Sequence, residues 1–273
     1  LYTERPLLPA GDATALLPEA DDRPGWRDFG RNGTYLVARQ LAQDVRGFWQ
    51  RMDSLAGSAG TTRETLAERL VGRRLDGAPL VESTGLNGFD FDGDPHGEQC
   101  PLGAHVRRAN PRTGDFPTGV SGPVTRGLRR LGFCRRHPHD DLVAASRFHR
   151  LVRRGRAYGG VPTPEEALQS DPDSSERGLH FICLGANISR QFEFVQNAWM
   201  ESTGFAGLQG ESDPLLGNRG IPGSGADGAR FSIPRAGQPR QVLDGLQQFV
   251  SVTGGAYFFM PGLGALAYIA RGP

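Results

Sequence analysis

Apolar residues in this chain fall in short, well-separated runs whose period switches between two and about 3.6. Thr34-Tyr-Leu-Val-Ala-Arg39 is β-prone and predicts a strand. Leu41, Val45, Phe48, Trp49 and Met52 follow at i, i+4, i+7, i+8 and i+11, the spacing of one helix face. Thr61-Thr-Arg-Glu64 has the spacing of a capping box, and the helix behind it carries Leu66, Leu70 and Val71 before ending near Gly72 to Gly77. Short strands are predicted over Gly103–Arg108 and over Gly178-Leu-His-Phe-Ile-Cys-Leu184. Ser189 is placed to N-cap a helix whose Phe192, Val195 and Trp199 share a face. Ala256-Tyr-Phe-Phe-Met260 reads as a last strand, stopped by Pro261. The order strand, helix, strand, strand, helix, strand predicts a ferredoxin-like βαββαβ unit of the α+β class, an antiparallel sheet with helices on one face.

Long polar stretches interrupt that order. Residues 110–142 form a Gly/Pro/Arg-rich loop too long for an ordinary connection, which marks it as functional or contact-making. Residues 202–240 read as a second, glycine-rich loop. Residues 1–28 carry Pro6, Pro9, Pro18, Pro24 and an acidic Glu19–Asp22 run without periodicity, so they read as an extended arm ahead of one domain over 29–273.

Composition agrees with a loop-rich globular domain. The 273 residues include 39 glycines and 20 prolines, and 37% are hydrophobic. A formal net charge of +1 gives no electrostatic reason for a nucleic-acid or membrane partner. No apolar run reaches the ~18 residues of a membrane helix, and no secretory leader is seen, so a soluble, cytoplasmic protein is expected. Cys100, Cys134 and Cys183 are too few and too widely spaced for a disulfide framework or a zinc site, and they read as small buried thiols.

The motifs of common hydrolases and nucleotide-binding proteins are absent: there is no His-Glu-x-x-His, no Cys-x-x-Cys, no P-loop and no Gly-x-Ser-x-Gly. His137-Pro-His-Asp-Asp141 has the look of a metal site, but two histidines across a proline in a polar loop more commonly mean solvated surface. The stretch that draws attention is Phe89–Arg112. There a turn-rich acidic segment ends at Cys100-Pro101, and a single histidine, His105, follows between apolar and basic residues before Asn110-Pro111. An imidazole entered and left by rigid turns is held still, as a metal ligand must be.

Cys100-Pro-Leu-Gly-Ala-His-Val-Arg-Arg-Ala-Asn-Pro-Arg112 resembles the haem-ligand segment of the dye-decolorising (DyP-type) peroxidases. Further matches run in the same order: Phe29–Val37, Leu70–Arg73 with Gly77–Leu80, His149–Gly155 with Tyr158-Gly159, Gly178–Cys183 with Arg190–Phe194, and Tyr257–Pro261. The resemblance covers roughly residues 29–273 and implies haem b (iron protoporphyrin IX) as cofactor and hydrogen peroxide as oxidant. The implied reducing substrates are bulky dyes or phenolic aromatics. It makes His105 the proximal iron ligand, with His149 the second candidate, and Arg153 the distal arginine that stabilises charge as peroxide splits. Leu179 and Phe181 match positions that wall the distal pocket. Glu193 is a candidate acceptor for the second nitrogen of the ligand histidine. Trp26, Trp49, Trp199 and Tyr158 are candidate electron relays.

The family's Gly-x-x-Asp-Gly segment, with its distal aspartate, has no counterpart: Asp92-Gly93 follows Phe89-Asp-Phe and lacks the first glycine. Family members are built from two ferredoxin-like halves, and this chain resembles the second. The expectation is a hetero-oligomer in which a separate N-terminal chain supplies the aspartate, the alternative being a truncated form. Two other readings stand beside it: a haem-binding or scaffolding subunit without turnover of its own, and a ferredoxin-like partner-binding domain without haem.

Overall fold

The structure is a computed structural model that describes residues 5–83, 88–91, 93–112, 145–169, 176–217, 219 and 230–271. The polar His137–Asp141 motif, Cys134 and most of the 110–142 loop lie outside those residues. Its centre is a four-stranded antiparallel sheet built from β3 (Thr34–Gln43), β4 (Val152–Tyr158), β5 (Gly178–Gly185) and β8 (Val250–Met260), in the spatial order β4-β5-β3-β8. Numbered along the chain within the unit, that order is second, third, first, fourth, the arrangement of a ferredoxin-like βαββαβ sheet.

One predicted strand is wrong, and its error is informative. Gly103–Arg108 is not the second strand; His105–Ala109 is a short helix, α3, and the second strand is β4. Ala104 turns the chain after Pro101, and Arg108 N and Asn110 N donate to Ala104 O and Val106 O at 2.9 and 3.1 Å. Helical winding sends the adjacent Arg107 and Arg108 in different directions, and each finds a separate set of buried acceptors. A strand would have turned His105 and Arg107 to one face.

Boundaries elsewhere shift for similar local reasons. Leu41 ends in β3 rather than opening the helix, because Asp44 caps α1 (Val45–Ala59) by accepting from Gly47 N at 2.8 Å. Thr62, not Thr61, caps α2 (Arg63–Val71), its hydroxyl accepting from Thr65 N at 3.2 Å. The helix after β5, here α5 (Ser189–Glu193 and Val195–Glu201), is wound with π-type hydrogen bonds. Asn187 rather than Ser189 starts it: Asn187 Oδ1 accepts from Arg190 N at 2.8 Å, and Gln191 Oε1 accepts from Asn187 N at 3.0 Å. Between β4 and β5 lies a short helix, α4 (Pro164–Gln169).

Two stretches read as unstructured contain strands. In the arm, β1 (Leu7–Pro9) pairs with β2 (Trp26–Asp28), and Arg5 Nε reaches Asp28 at 2.7 Å. Within 202–240, β6 (Phe231–Arg235) turns through Gly237 (φ 66°) into β7 (Gln238–Leu243). A last helix, α6 (Leu263–Arg271), follows β8.

The main core joins Trp49 and Met52 of α1, Leu66 and Leu70 of α2, Phe231 and Ile233 of β6 and Leu243 of β7, with Leu41, Leu179 and Phe181 of the sheet against it. Phe192 of α5 lies 6.3 Å from Phe181 (ring centroids), so both long helices cover the same sheet face. The opposite face is open. Across it β4, β5, β3 and β8 align Val152, Leu184, Leu36 and Phe258 in register, and Val152 and Phe258 are 73% and 51% exposed.

Close strand pairing makes one substitution diagnostic. A Cβ on Gly178 would sit 1.9 Å from Leu41 O, where only a backbone shift can relieve it. Gly178→Ala should lower stability by about 2 kcal/mol or more in urea unfolding, and an unchanged midpoint would contradict the β3–β5 register.

Candidate functional site

Between the covered face of the sheet and the helices lies a cavity of about 570 Å³. Strand alternation decides what lines its floor. Arg39 and Leu41 of β3, Arg153 of β4, Leu179 and Phe181 of β5 and Val252 of β8 share that face and border the cavity. Its other wall comes from His105 and Ala109 of α3, from Val195, Trp199 and Met200 of α5, and from Leu216. Gly155 sits between Arg153 and Ala157, and a Cβ there would meet Leu179 Cδ1 at 3.0 Å, so the glycine makes room for the leucine.

His105 and Arg153, 48 residues apart in sequence, thus border one cavity from its two walls. The next residue, Arg154, pairs with Ile182 on the open face. The Arg153 guanidinium has no hydrogen-bond partner among the described residues. Its surface is open to the cavity, yet the enclosing protein pushes its guanidinium pKa down, with Arg73 adding to the shift and Cys183 opposing it.

The His105 ring is set by a carboxylate that sequence reasoning missed. His105 Nδ1 lies 3.1 and 3.2 Å from Asp213 Oδ2 and Oδ1. Asp213 has no exposed surface, and its Oδ1 also accepts from Leu215 N at 2.9 Å and Leu216 N at 2.8 Å. Burial by itself would raise the Asp213 pKa, but the His105 imidazole and these amides outweigh it and hold the carboxyl below its ordinary range. Nδ1–H therefore faces an anion, and Nε2 is the ring nitrogen without a protein partner among the described residues.

Both ends of that pair are braced. Arg107 donates to Asp94 Oδ2 at 3.1 Å, Asp94 O at 2.8 Å and Cys100 O at 2.6 Å, which locks α3 to the acidic turn before it. Asp94 in turn accepts from Cys100 N at 2.8 Å. At the other end Asp213 N donates to Met200 O at 2.7 Å, and Arg219 donates to Asp213 O at 2.7 Å and Ser212 Oγ at 2.9 Å.

The remaining sequence candidates fare unevenly. Glu193 is not the partner of His105; its carboxylate faces the Tyr257 hydroxyl instead. His149 stacks on Phe194 at 3.6 Å between ring centroids, hydrogen-bonds the Arg190 carbonyl through Nδ1 and does not border the cavity. Among the aromatic candidates Trp199 borders the cavity, Trp49 is core, Trp26 lies under Arg23, and Tyr158 donates to Leu41 O at 3.1 Å. The only sequence signal for Asp213 is Asp213-Pro214 within a glycine-rich loop, a turn signature whose carboxylate accepts amides two and three residues on.

Fold and site together define a class: a ferredoxin-like α+β domain that holds a carboxylate-backed imidazole, His105, and the Arg153 guanidinium on opposite walls of a mostly apolar cavity. No family model matches the chain, but individual relatives do. It is 32% identical over 253 residues to the multifunctional dye peroxidase DyP2 of Amycolatopsis sp., covering 86% of this chain and 48% of that one. It is 31% identical over 292 residues to the dye-decolorizing peroxidase msp1 of Mycetinis scorodonius, covering 95% of this chain and 50% of the relative. The crystal structure of a DyP-type peroxidase from Anabaena sp. superposes with a TM-score of 0.63 at 28% identity, over 86% of this chain and 45% of that one. The chain belongs to the dye-decolorising peroxidase family, and it spans about half the length of the curated relatives it matches.

Removing the carboxylate should be costly, because it strands His105 Nδ1–H and two part-buried amides at once. Asp213→Ala is expected to lose about 3 kcal/mol in chemical denaturation, and a loss near zero would mean that the His105–Asp213 pair does not form.

Proposed function

We propose that this chain is the haem-binding half of a dye-decolorising-type peroxidase that reduces hydrogen peroxide and oxidises dyes or phenolic aromatics. The observation that carries the reading is His105, backed by buried Asp213 and facing Arg153 across one cavity. Haem b fits these residues. Among the described residues no three His, Cys, Asp or Glu side chains gather into a metal cage, and a porphyrin, which brings four equatorial nitrogens of its own, needs only one protein imidazole. The cavity is within the ~300–1,000 Å³ typical of cofactor sites, with apolar walls and few polar groups. Leu179 and Phe181 would wall the side that Arg153 occupies.

Haem bound there would supply the redox chemistry: two-electron reduction of peroxide, balanced by two one-electron oxidations of aromatic donors. His105 Nε2 would ligate the iron. Asp213 would accept the Nδ1 proton's hydrogen bond, keep the ring in one tautomer and raise its basicity. Arg153, always a cation, would donate hydrogen bonds to the peroxide oxygen on which negative charge develops. The Gly-x-x-Asp-Gly segment, to whose aspartate the family resemblance assigns the proton transfer, does not occur in this sequence.

The aspartate of that segment is proposed to come from a complementary ferredoxin-like half seated on the open sheet face. An in-register apolar row with Val152 and Phe258 largely exposed, flanked by Ile182 at 43% and Met260 at 41%, is the kind of surface a second sheet covers. A haem-binding subunit without turnover of its own is the second reading, favoured by the missing aspartate.

Reconstitution with haem should give a Soret band that His105→Ala abolishes. Arg153→Ala should keep the band and lose about a hundredfold or more of the peroxide-dependent rate. A full rate in Arg153→Ala would reject the catalytic assignment, and no turnover in any assembly that binds haem would favour the second reading. Native mass spectrometry of active protein should show a mass above the 29.5 kDa of these residues; fully haem-loaded, fully active material of that mass would reject the need for a complementary half.

A further inference from the structure

Arg108 is a charge with no exposed surface, and its hydrogen bonds go to main-chain carbonyls rather than to a carboxylate. It donates to Trp199 O at 2.6 Å, to Ser202 O at 3.0 Å and to Glu211 O, while its guanidinium lies 5.0 Å over the ring of Phe205. Trp199 and Ser202 stand at the C-terminal end of α5, where carbonyls have no intrahelical donor. Glu211 lies two residues before Asp213. Burial pushes the guanidinium pKa down to about 10, opposed by Asp213 and Glu211, so Arg108 remains a cation at neutral pH.

These contacts close a ring through the chain. Arg108 is one turn along α3 from His105, its fork reaches Glu211, and two residues later Asp213 returns to His105 Nδ1. Glu211 is itself fixed, its Oε2 accepting from Ser232 N at 2.9 Å. We propose that Arg108 is a positioning residue that acts through Asp213: by tying α3 to the end of α5 and to Glu211 O, it sets the His105–Asp213 bond and so selects the Nδ1–H tautomer that leaves Nε2 free. A guanidinium suits this task because its planar fork spans acceptors on separate segments, whereas an ammonium is a point charge on a flexible stem. This inference deepens the proposed function and rests on its choice of His105.

The test reads the tautomer without haem, so its outcome is separable from that of haem reconstitution. In the ¹⁵N-labelled haem-free chain, with His105 assigned by its loss in His105→Gln, the Nδ1–H form should predominate. In Arg108→Met and Arg108→Lys, each checked for folding by its amide spectrum, the ratio of Nδ1–H to Nε2–H should fall roughly tenfold, the scale of losing one charge-assisted hydrogen bond. A folded variant with the parent's ratio would overturn the proposal. So would an Arg108→Lys chain that cannot fold, since Arg108 would then be a determinant of the fold and not of the pair. With haem bound, the Arg108→Lys variant should also show a more positive reduction potential than the parent, because a weaker carboxylate contact makes His105 a poorer donor to the ferric state. Failure of the parent to bind haem would reject the proposed function and leave the tautomer result standing.

Discussion

Two buried guanidiniums on one five-residue helix constrain everything around the cavity. Arg107 and Arg108 are 3% and 0% exposed, and a charge removed from water that far is costly unless protein acceptors replace the water. Arg107 draws in the acidic turn through Asp94 and Cys100, and Arg108 draws in the end of α5 and the Glu211 segment. A helix of this length has almost no intrinsic stability. Its place comes from these tertiary bonds, and His105, its first residue, inherits that rigidity.

The sheet supplies the other half of the geometry by simple alternation. Because successive side chains on a strand point to opposite faces, Arg153 and Arg154 part company, one toward the cavity and one toward the open face. The same rule puts Leu179 and Phe181 on the cavity side and Ile182 on the other. A one-residue slip of β4 against β5 would exchange those roles and take the Arg153 guanidinium out of the cavity. The cavity's character therefore depends on strand register as much as on residue identity.

Where sequence reasoning missed, it missed interactions between distant segments. Gly103–Arg108 looks like a strand locally, and only acceptors from residues 94, 100, 199, 202 and 211 make it a helix. Glu193 lies within a segment that matches the family and so attracts attention, but Asp213, in a glycine-rich loop with no pattern of its own, holds His105. The missed hairpin of β6 and β7 has a comparable cause: Phe231, Ile233 and Leu243 become core only because α1 and α2 cover them. Capping errors of one or two residues, at Thr62 and Asn187, come from competing side chains that propensity cannot rank.

The sequence by itself determined the elements that carry strong period, the βαββαβ order apart from one strand's location, the resemblance that points to His105, Arg153, Leu179 and Phe181, and the lack of a Gly-x-x-Asp-Gly segment. These are local or motif-borne properties, and a single chain displays them openly. Tertiary structure alone decided that His105 lies on a helix, that Asp213 backs it, that Arg108 and Arg107 anchor its two sides, and that Arg153 borders the same cavity. The reason is physical: desolvated charges choose their partners by proximity in the folded chain, and no spacing in the sequence records which loop will bring a carboxylate or a carbonyl to them.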